Sequence, residues 1–180
     1  RIILNPLTPD LPDPVDGTRR HRIVSFGRLE PQKNLTMLLD AFSLFLREHP
    51  SYSLELIGDG SERDRLAEHT RALGIEESVA ILPARLDIHD HIRDAAMFVL
   101  PSDYEGLSNS MLEAMAMGIP TICTDAPCGG ARTVIIDGIN GVLTPVGDAG
   151  ALLDAMQRVA SSEEFQQSLS TNSRQLRDRL

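Results

Sequence analysis

Apolar positions along this chain change period repeatedly between that of a strand and that of a helix. Short aliphatic and β-branched runs at Arg22–Phe26, Ser53–Ile57, Val79–Leu82, Met97–Leu100, Ile119–Thr124 and Gly141–Leu143 read as strands. Amphipathic helical patterns lie between them, near Leu35–Glu48, Ser61–Leu73, Ile88–Ala95, Asn109–Met117 and Gly147–Ala160. A last stretch, Glu163–Leu180, sets Phe165, Leu169, Leu176 and Leu180 on one face. Met97-Phe98-Val99-Leu100 is continuously apolar, which suits a strand covered on both faces. Strand–helix alternation with short connections predicts an α/β fold, a Rossmann-like doubly wound parallel sheet. In such sheets the ligand sits outside the carboxyl ends of the strands. The segments richest in glycine and charge fall at those ends: Gly27–Asn34, Gly58–Gly60, Ala84–Asp87, Ser102–Ser108 and Asp125–Arg132.

The first twenty residues differ. Pro6, Pro9, Pro12 and Pro14 forbid a helix and favour an extended, partly stiff strand or linker, with Arg1–Leu4 as a possible short strand. The 180 residues suffice for one well-packed domain, and 42% hydrophobic with 24% charged content is ordinary for a soluble globular chain. A formal net charge of −9 argues against a general nucleic-acid binder, while leaving room for a local basic pocket. No apolar run approaches the roughly 18 residues of a membrane span, and no signal peptide is evident. A chain opening on Arg1 suggests a fragment. Cys123 and Cys128 lack zinc spacing and read as a buried strand cysteine and a loop cysteine. Their scarcity fits a reducing cytoplasm. His21, His49, His69, His89 and His91 likewise show no metal spacing, and read as surface or capping residues.

Two segments carry most of the candidate chemistry. Gly27-Arg28-Leu29-Glu30-Pro31-Gln32-Lys33-Asn34 follows a strand, allows close backbone approach at its glycine, and holds two cations. Arg suits bidentate phosphate recognition and Lys acts as a mobile point charge; the plainer reading is solvated loop charge. Further on, Glu105 and Glu113 stand with seven residues between them at the start of a predicted helix. A helix start offers free N–H groups and positive potential to an anion, and the two carboxylates could accept from sugar or ribose hydroxyls. Glutamates also favour a helix start for electrostatic reasons alone. Glu113, however, is flanked by Leu112, Ala114, Met115 and Ala116, and a carboxylate in such a stretch needs a partner. Gly58-Asp59-Gly60 reads as a tight turn, because Arg63 stands where a dinucleotide fingerprint needs its third glycine.

Taken in order and spacing, these pieces resemble the C-terminal, nucleotide-sugar-binding half of the GT-B fold in family-4 retaining glycosyltransferases (glycosyl transferases group 1). The likeness rests on Ser25-Phe26-Gly27-Arg28-Leu29 with Lys33-Asn34, Leu56-Ile57-Gly58-Asp59-Gly60, Leu100-Pro101-Ser102, Tyr104-Glu105-Gly106-Leu107-Ser108, and Leu112-Glu113 through Gly118-Ile119-Pro120. Asp137-Gly138, Asn140-Gly141 and Pro145 extend it, so that it runs from about Asn5-Pro6 to at least Ala160.

The resemblance implies that Arg28 and Lys33 bind the donor diphosphate and neutralise the leaving group, electrostatic work done by preorganised charge. It implies that Glu105, the first glutamate of the EX7E motif, contacts the donor sugar, and that Glu113, the second, holds the ribose. Gly27 and the backbone of Gly106, Leu107 and Ser108 would approach the nucleotide sugar, with Arg85 and Leu86 near the base. It implies no metal and no cofactor beyond a UDP- or GDP-sugar donor, transfer of a hexosyl or N-acetylhexosaminyl group with retention, and a glycan or lipid-linked acceptor. Residues 1–20 would be the interdomain linker leading into the domain, 21–162 the nucleotide-sugar-binding domain and 163–180 a C-terminal helix, with the N-terminal acceptor domain absent from this chain. The setting it implies is cytoplasmic, with peripheral association at the inner face of the membrane, in polysaccharide biosynthesis. Alternatives are a nucleotide-sugar epimerase-like relative and a non-catalytic nucleotide-binding module. Thr133 stands where the family often has Glu, and a threonine supplies no carboxylate to the donor region.

Overall fold

The computed structural model describes residues 7, 8 and 10–179. Six described strands, β1 (Arg20–Phe26), β2 (Ser53–Ile57), β3 (Val79–Leu82), β4 (Ala95–Leu100), β5 (Thr121–Thr124) and β6 (Val142–Thr144), run parallel in one sheet ordered β3-β2-β1-β4-β5-β6. Helices α1 (Leu35–Phe45), α2 (Arg63–Leu73), α3 (Ile88–Ile92), α4 (Asn109–Ala116), α5 (Ala149–Ser161) and α6 (Glu163–Ser173) cover both faces. The expected doubly wound α/β sheet is present. The Arg1–Leu4 strand reading lies outside the described residues.

Alternate residues of each central strand feed two separate cores. Ile23, Leu54, Leu56, Met97, Val99 and Ile122 pack with α1, α2, α5 and α6. Val24, Phe26, Ile57, Phe98, Leu100 and Cys123 pack with α3 and α4. Every β4 residue is buried, which is why that strand is apolar without alternation. Asp148 and Ser162 begin the last two helices by accepting from Ala151 N–H at 2.8 Å and Phe165 N–H at 3.1 Å. Gly74, at φ +68°, closes α2 where an L side chain would be strained.

Several boundaries move. β1 begins two residues early because Arg20 pairs with Ala95, and Arg20 also meets Asp94 at 2.8 Å. That pairing claims Ala95 and Ala96 for β4, so the helix expected to reach Ala95 stops at Ile92. β5 starts at Thr121, not Ile119, because Gly118 turns at φ +68° and Pro120 has no N–H to donate. The C-terminal stretch is α-helical to Ser173 and continues as 3₁₀ turns over Arg174–Arg179. Among the described residues no helix is long and apolar enough to cross a membrane.

Arg19 locks the amino-terminal edge of the sheet. Only 5% exposed, it donates to Gly118 O at 2.6 Å, Ser170 Oγ at 3.1 Å, and Arg93 O and Ala95 O at 3.2 Å. Burial lowers its pKa to about 10, with Asp94 opposing, so the guanidinium stays charged at neutral pH.

Candidate active site

β1 and β4 are neighbours, yet the chain leaves them in opposite directions. After β1 it passes to α1 on one face, and after β4 to α4 on the other. The diverging loops open a crevice at the strand carboxyl ends, the ligand position of this topology. The loops after β1 and β2 are knitted together beside it. Gly27 N–H donates to Ile57 O at 3.0 Å, and Leu29 N–H to Asp59 O at 2.9 Å. A Cβ on Gly58 would lie 1.8 Å from Gly27 O, and one on Gly60 2.3 Å from Leu29 O. The Gly58-Asp59-Gly60 turn is therefore a loop-to-loop contact, and Arg63 bonds Gly58 O at 2.9 Å and Ile81 O at 3.1 Å.

Across the crevice, the β1 and β4 loops meet through charge. Lys33, in the short 3₁₀ turn Pro31–Lys33, donates from Nζ to Glu105 Oε2. Their side chains are 11% and 22% exposed. Ser102 Oγ lies 3.4 Å from the same oxygen. Asn34 Nδ2 donates to Asp103 Oδ1 at 2.7 Å, and Asp103 N–H to Gln32 O at 2.9 Å. A single ammonium–carboxylate contact leaves Lys33 two more N–H donors and Glu105 further lone pairs. Beneath the pair, burial pushes the Cys123 thiol up, Glu105 adds to the shift and Lys33 opposes it. That thiol is a core group and not a nucleophile at neutral pH.

Glu113 stands within α4 and is largely buried, with a side chain 13% exposed. Thr8 Oγ donates to its Oε1, and His89 Nε2 lies 3.0 Å from its Oε2. Here the expectation that an apolar neighbourhood demands partners holds, and the reading of His89 as a surface or capping residue does not. At the start of α4, Ser108 has extended backbone, and its hydroxyl meets Ser110 Oγ at 2.9 Å instead of capping a backbone N–H. Gly106 is exposed, Leu107 half-buried and Ser108 buried. The Gly106 loop is braced by the next one, since a Cβ on Gly130 would fall 1.9 Å from Gly106 O. Thr133 Oγ bonds Gly129 O at 2.9 Å within that bracing loop.

A cavity of about 360 Å³ lies at the carboxyl ends of β1 and β2 and the loop after β3, walled by Phe26, Ile57, Ala84 and Ile88 with Gly27 and Gly58. Arg28 and Arg85 line it as well. Arg28 is exposed and has no hydrogen-bond or ion-pair partner among the described residues. Arg85 is engaged by Asp87, at 2.9 Å and 2.8 Å, and that fork lowers the Asp87 carboxyl to about 2. Leu86 is fully exposed and outside the lining.

The structure thus joins Lys33 to Glu105, sets Gly27, Arg28 and Arg85 around one cavity, and gives Glu113 partners of its own. Among the described residues no group of three or more His, Cys, Asp or Glu is arranged to hold a metal ion. The arrangement offers an apolar slot, a guanidinium without a partner among the described residues, a partly shielded ammonium, and two carboxylates able to accept from hydroxyls.

The family Glycosyl transferases group 1 matches residues 14–176. An exopolysaccharide phosphotransferase of Streptomyces coelicolor is 33% identical over 78% of this chain and 15% of its own length. The lipopolysaccharide 1,6-galactosyltransferase of Salmonella typhimurium is 33% identical over 76% of this chain and 39% of its own. The chain therefore spans less than half the length of these relatives. Among solved structures, HepE of Anabaena in complex with UDP superposes with a TM-score of 0.81 at 25% identity, covering 89% of this chain and 44% of that one. TarM of S. aureus reaches a TM-score of 0.89 at 19% identity, over 97% of this chain and 35% of that one, a likeness of fold.

Proposed function

Because the chain belongs to the glycosyl transferases group 1 family, we propose that it is the donor-binding, C-terminal half of a family-4 retaining GT-B glycosyltransferase. The whole protein moves a hexosyl or N-acetylhexosaminyl group from a UDP- or GDP-sugar to a glycan or lipid-linked acceptor. The observation that carries this reading is the Lys33–Glu105 contact across the β1/β4 crevice, beside Arg28, which is exposed and has no partner among the described residues.

In this reading the apolar slot takes the base, near Arg85, and Glu113 accepts from the ribose hydroxyls. Arg28, the free N–H groups of Lys33 and the start of α4 surround the diphosphate, where they neutralise charge as the leaving group departs. Glu105 has two tasks: it holds Lys33 and accepts from donor-sugar hydroxyls. It is not assigned as a nucleophile. Diphosphate charge met by these groups makes a metal unnecessary, so EDTA is expected to leave turnover unchanged. The relatives' greater length supports an acceptor domain preceding this one, with residues 1–20 as the linker and the stretch from Glu163 packing back toward it. A cytoplasmic enzyme, peripheral at the membrane when its acceptor is lipid-linked, fits this assignment.

The test is calorimetric titration with UDP and GDP, followed by a panel of nucleotide sugars read as hydrolysis or transfer by the intact protein. Saturable binding of one nucleotide, lost in Arg28→Ala, is expected. Absence of any saturable response to either would sink the assignment.

A further inference from the structure

His89 has no assigned task in this site, yet it joins two of its parts. It follows Ile88, which walls the base-sized cavity from α3, and its Nε2 lies 3.0 Å from Glu113 Oε2 on α4. An ionised carboxylate can only accept, so this ring nitrogen carries the proton and donates. Phe26 of β1 meets the imidazole edge-on, with centroids 6.4 Å apart and planes at 87°, which sets the ring independently of the hydrogen bond. The His89 and Glu113 side chains are 18% and 13% exposed, so water competes weakly with a charge-assisted bond. Thr8 holds the other oxygen. Donors at both oxygens fix the plane of the carboxylate, while each oxygen keeps a further lone pair. Two adjacent hydroxyls, which present two donors side by side, are met well only by a carboxylate whose plane is set beforehand.

We propose that His89 is a positioning residue for diol recognition: it orients Glu113 so that the nucleotide is selected by its ribose hydroxyls. The inference rests on the donor-binding reading of the site. His89 acts through Glu113 and makes no contact with the ligand.

The experiment compares calorimetric affinities of the intact protein for UDP and 2′-deoxy-UDP, and for GDP and 2′-deoxy-GDP. The wild type should favour the ribonucleotide by about tenfold or more, the value of one hydrogen bond to a charged group. His89→Phe keeps a ring against Phe26 but removes the donor, and should reduce that preference to about twofold or less. His89→Gln, whose amide N–H can reach the same oxygen, should restore most of it. A histidine that merely anchored α3 to α4 would lower both affinities together and leave their ratio intact. An unchanged ratio in a folded His89→Phe protein overturns the proposal; if that variant does not fold, His89→Leu is read in the same way. Wild-type protein that binds no nucleotide overturns the donor-site reading itself. Wild-type protein that binds both forms equally removes ribose from Glu113, and His89's role with it.

Discussion

The two cations of the β1 loop should separate cleanly when each is removed. Arg28 is exposed and unpartnered among the described residues, so Arg28→Ala is expected to change stability by no more than about 0.5 kcal/mol. Lys33 is 8% exposed and bonded to Glu105. Truncating it to Ala removes three packed methylenes, worth about 2 kcal/mol at roughly 0.8 kcal/mol each. It also leaves the Glu105 carboxylate without its ammonium, which costs about 1–3 kcal/mol. Because Glu105 is 22% exposed, water reaches it and the lower end applies. The expected loss is about 3 kcal/mol, or roughly 6–12 °C in Tm for a domain of this size.

Urea unfolding checks this, with the slope m compared between variants so that a changed denatured state is not mistaken for lost stability. Lys33→Met divides the loss further. It retains the buried stem, so it should lose only the charge contribution, about 1 kcal/mol, and adding Glu105→Gln should recover part of that. Equal stabilities for Arg28→Ala and Lys33→Ala would refute the buried, paired state of Lys33. The consequence for enzymology is direct. A loss of turnover in Arg28→Ala reports on chemistry, whereas the same loss in Lys33→Ala must first be corrected for the folded fraction.

Three further outcomes follow from the geometry. Gly58→Ala puts a Cβ 1.8 Å from Gly27 O at a φ of +152°, and should cost about 2–5 kcal/mol in chemical denaturation; Gly106→Ala, with nothing within 4 Å, should leave stability nearly unchanged. Arg19→Met leaves the carbonyls of Arg93, Ala95 and Gly118 without their donor and should cost about 3 kcal/mol or more, seen as early hydrogen exchange at the β4 amino end. The Asp87 carboxyl, held down by Arg85, should titrate by NMR near pH 2 and return to about 3.8 in Arg85→Ala. Since its folded pKa lies below the unfolded one, any stability from this pair is present above the ordinary carboxylate pKa and is lost as pH falls toward 2.

The sheet was readable in the chain because burial on both faces leaves a local mark. Continuous apolar runs such as Met97–Leu100 and the intervening helical periods need no knowledge of partners. Strand ends were less readable where residues suit either state. Ala95 and Ala96 fit a helix as well as a strand, and only their pairing beside β1 decides the matter. Arg19 hid differently: within Thr18-Arg19-Arg20-His21-Arg22 it looks like one more solvated charge, and apart from Val15 O its partners come from Arg93, Ala95, Gly118 and Ser170.

Glu113 and His89 show where local reading of the site stops. The demand of Glu113 for a partner was visible because its own neighbours in α4 are apolar. The identity of that partner was not, since Thr8 and His89 lie 105 and 24 residues away and neither has a distinctive local context. His89-Asp90-His91 did carry one usable constraint: a spacing of two on a helix sends the rings apart. His91 indeed turns to Glu55 at 2.7 Å while His89 turns to Glu113. The helical spacing separated the two rings, but only the topology that lays α3 beside α4 decided which one reaches Glu113. Residues that act through another residue therefore leave the faintest trace in a sequence, because their chemistry is defined by a neighbour that the fold supplies.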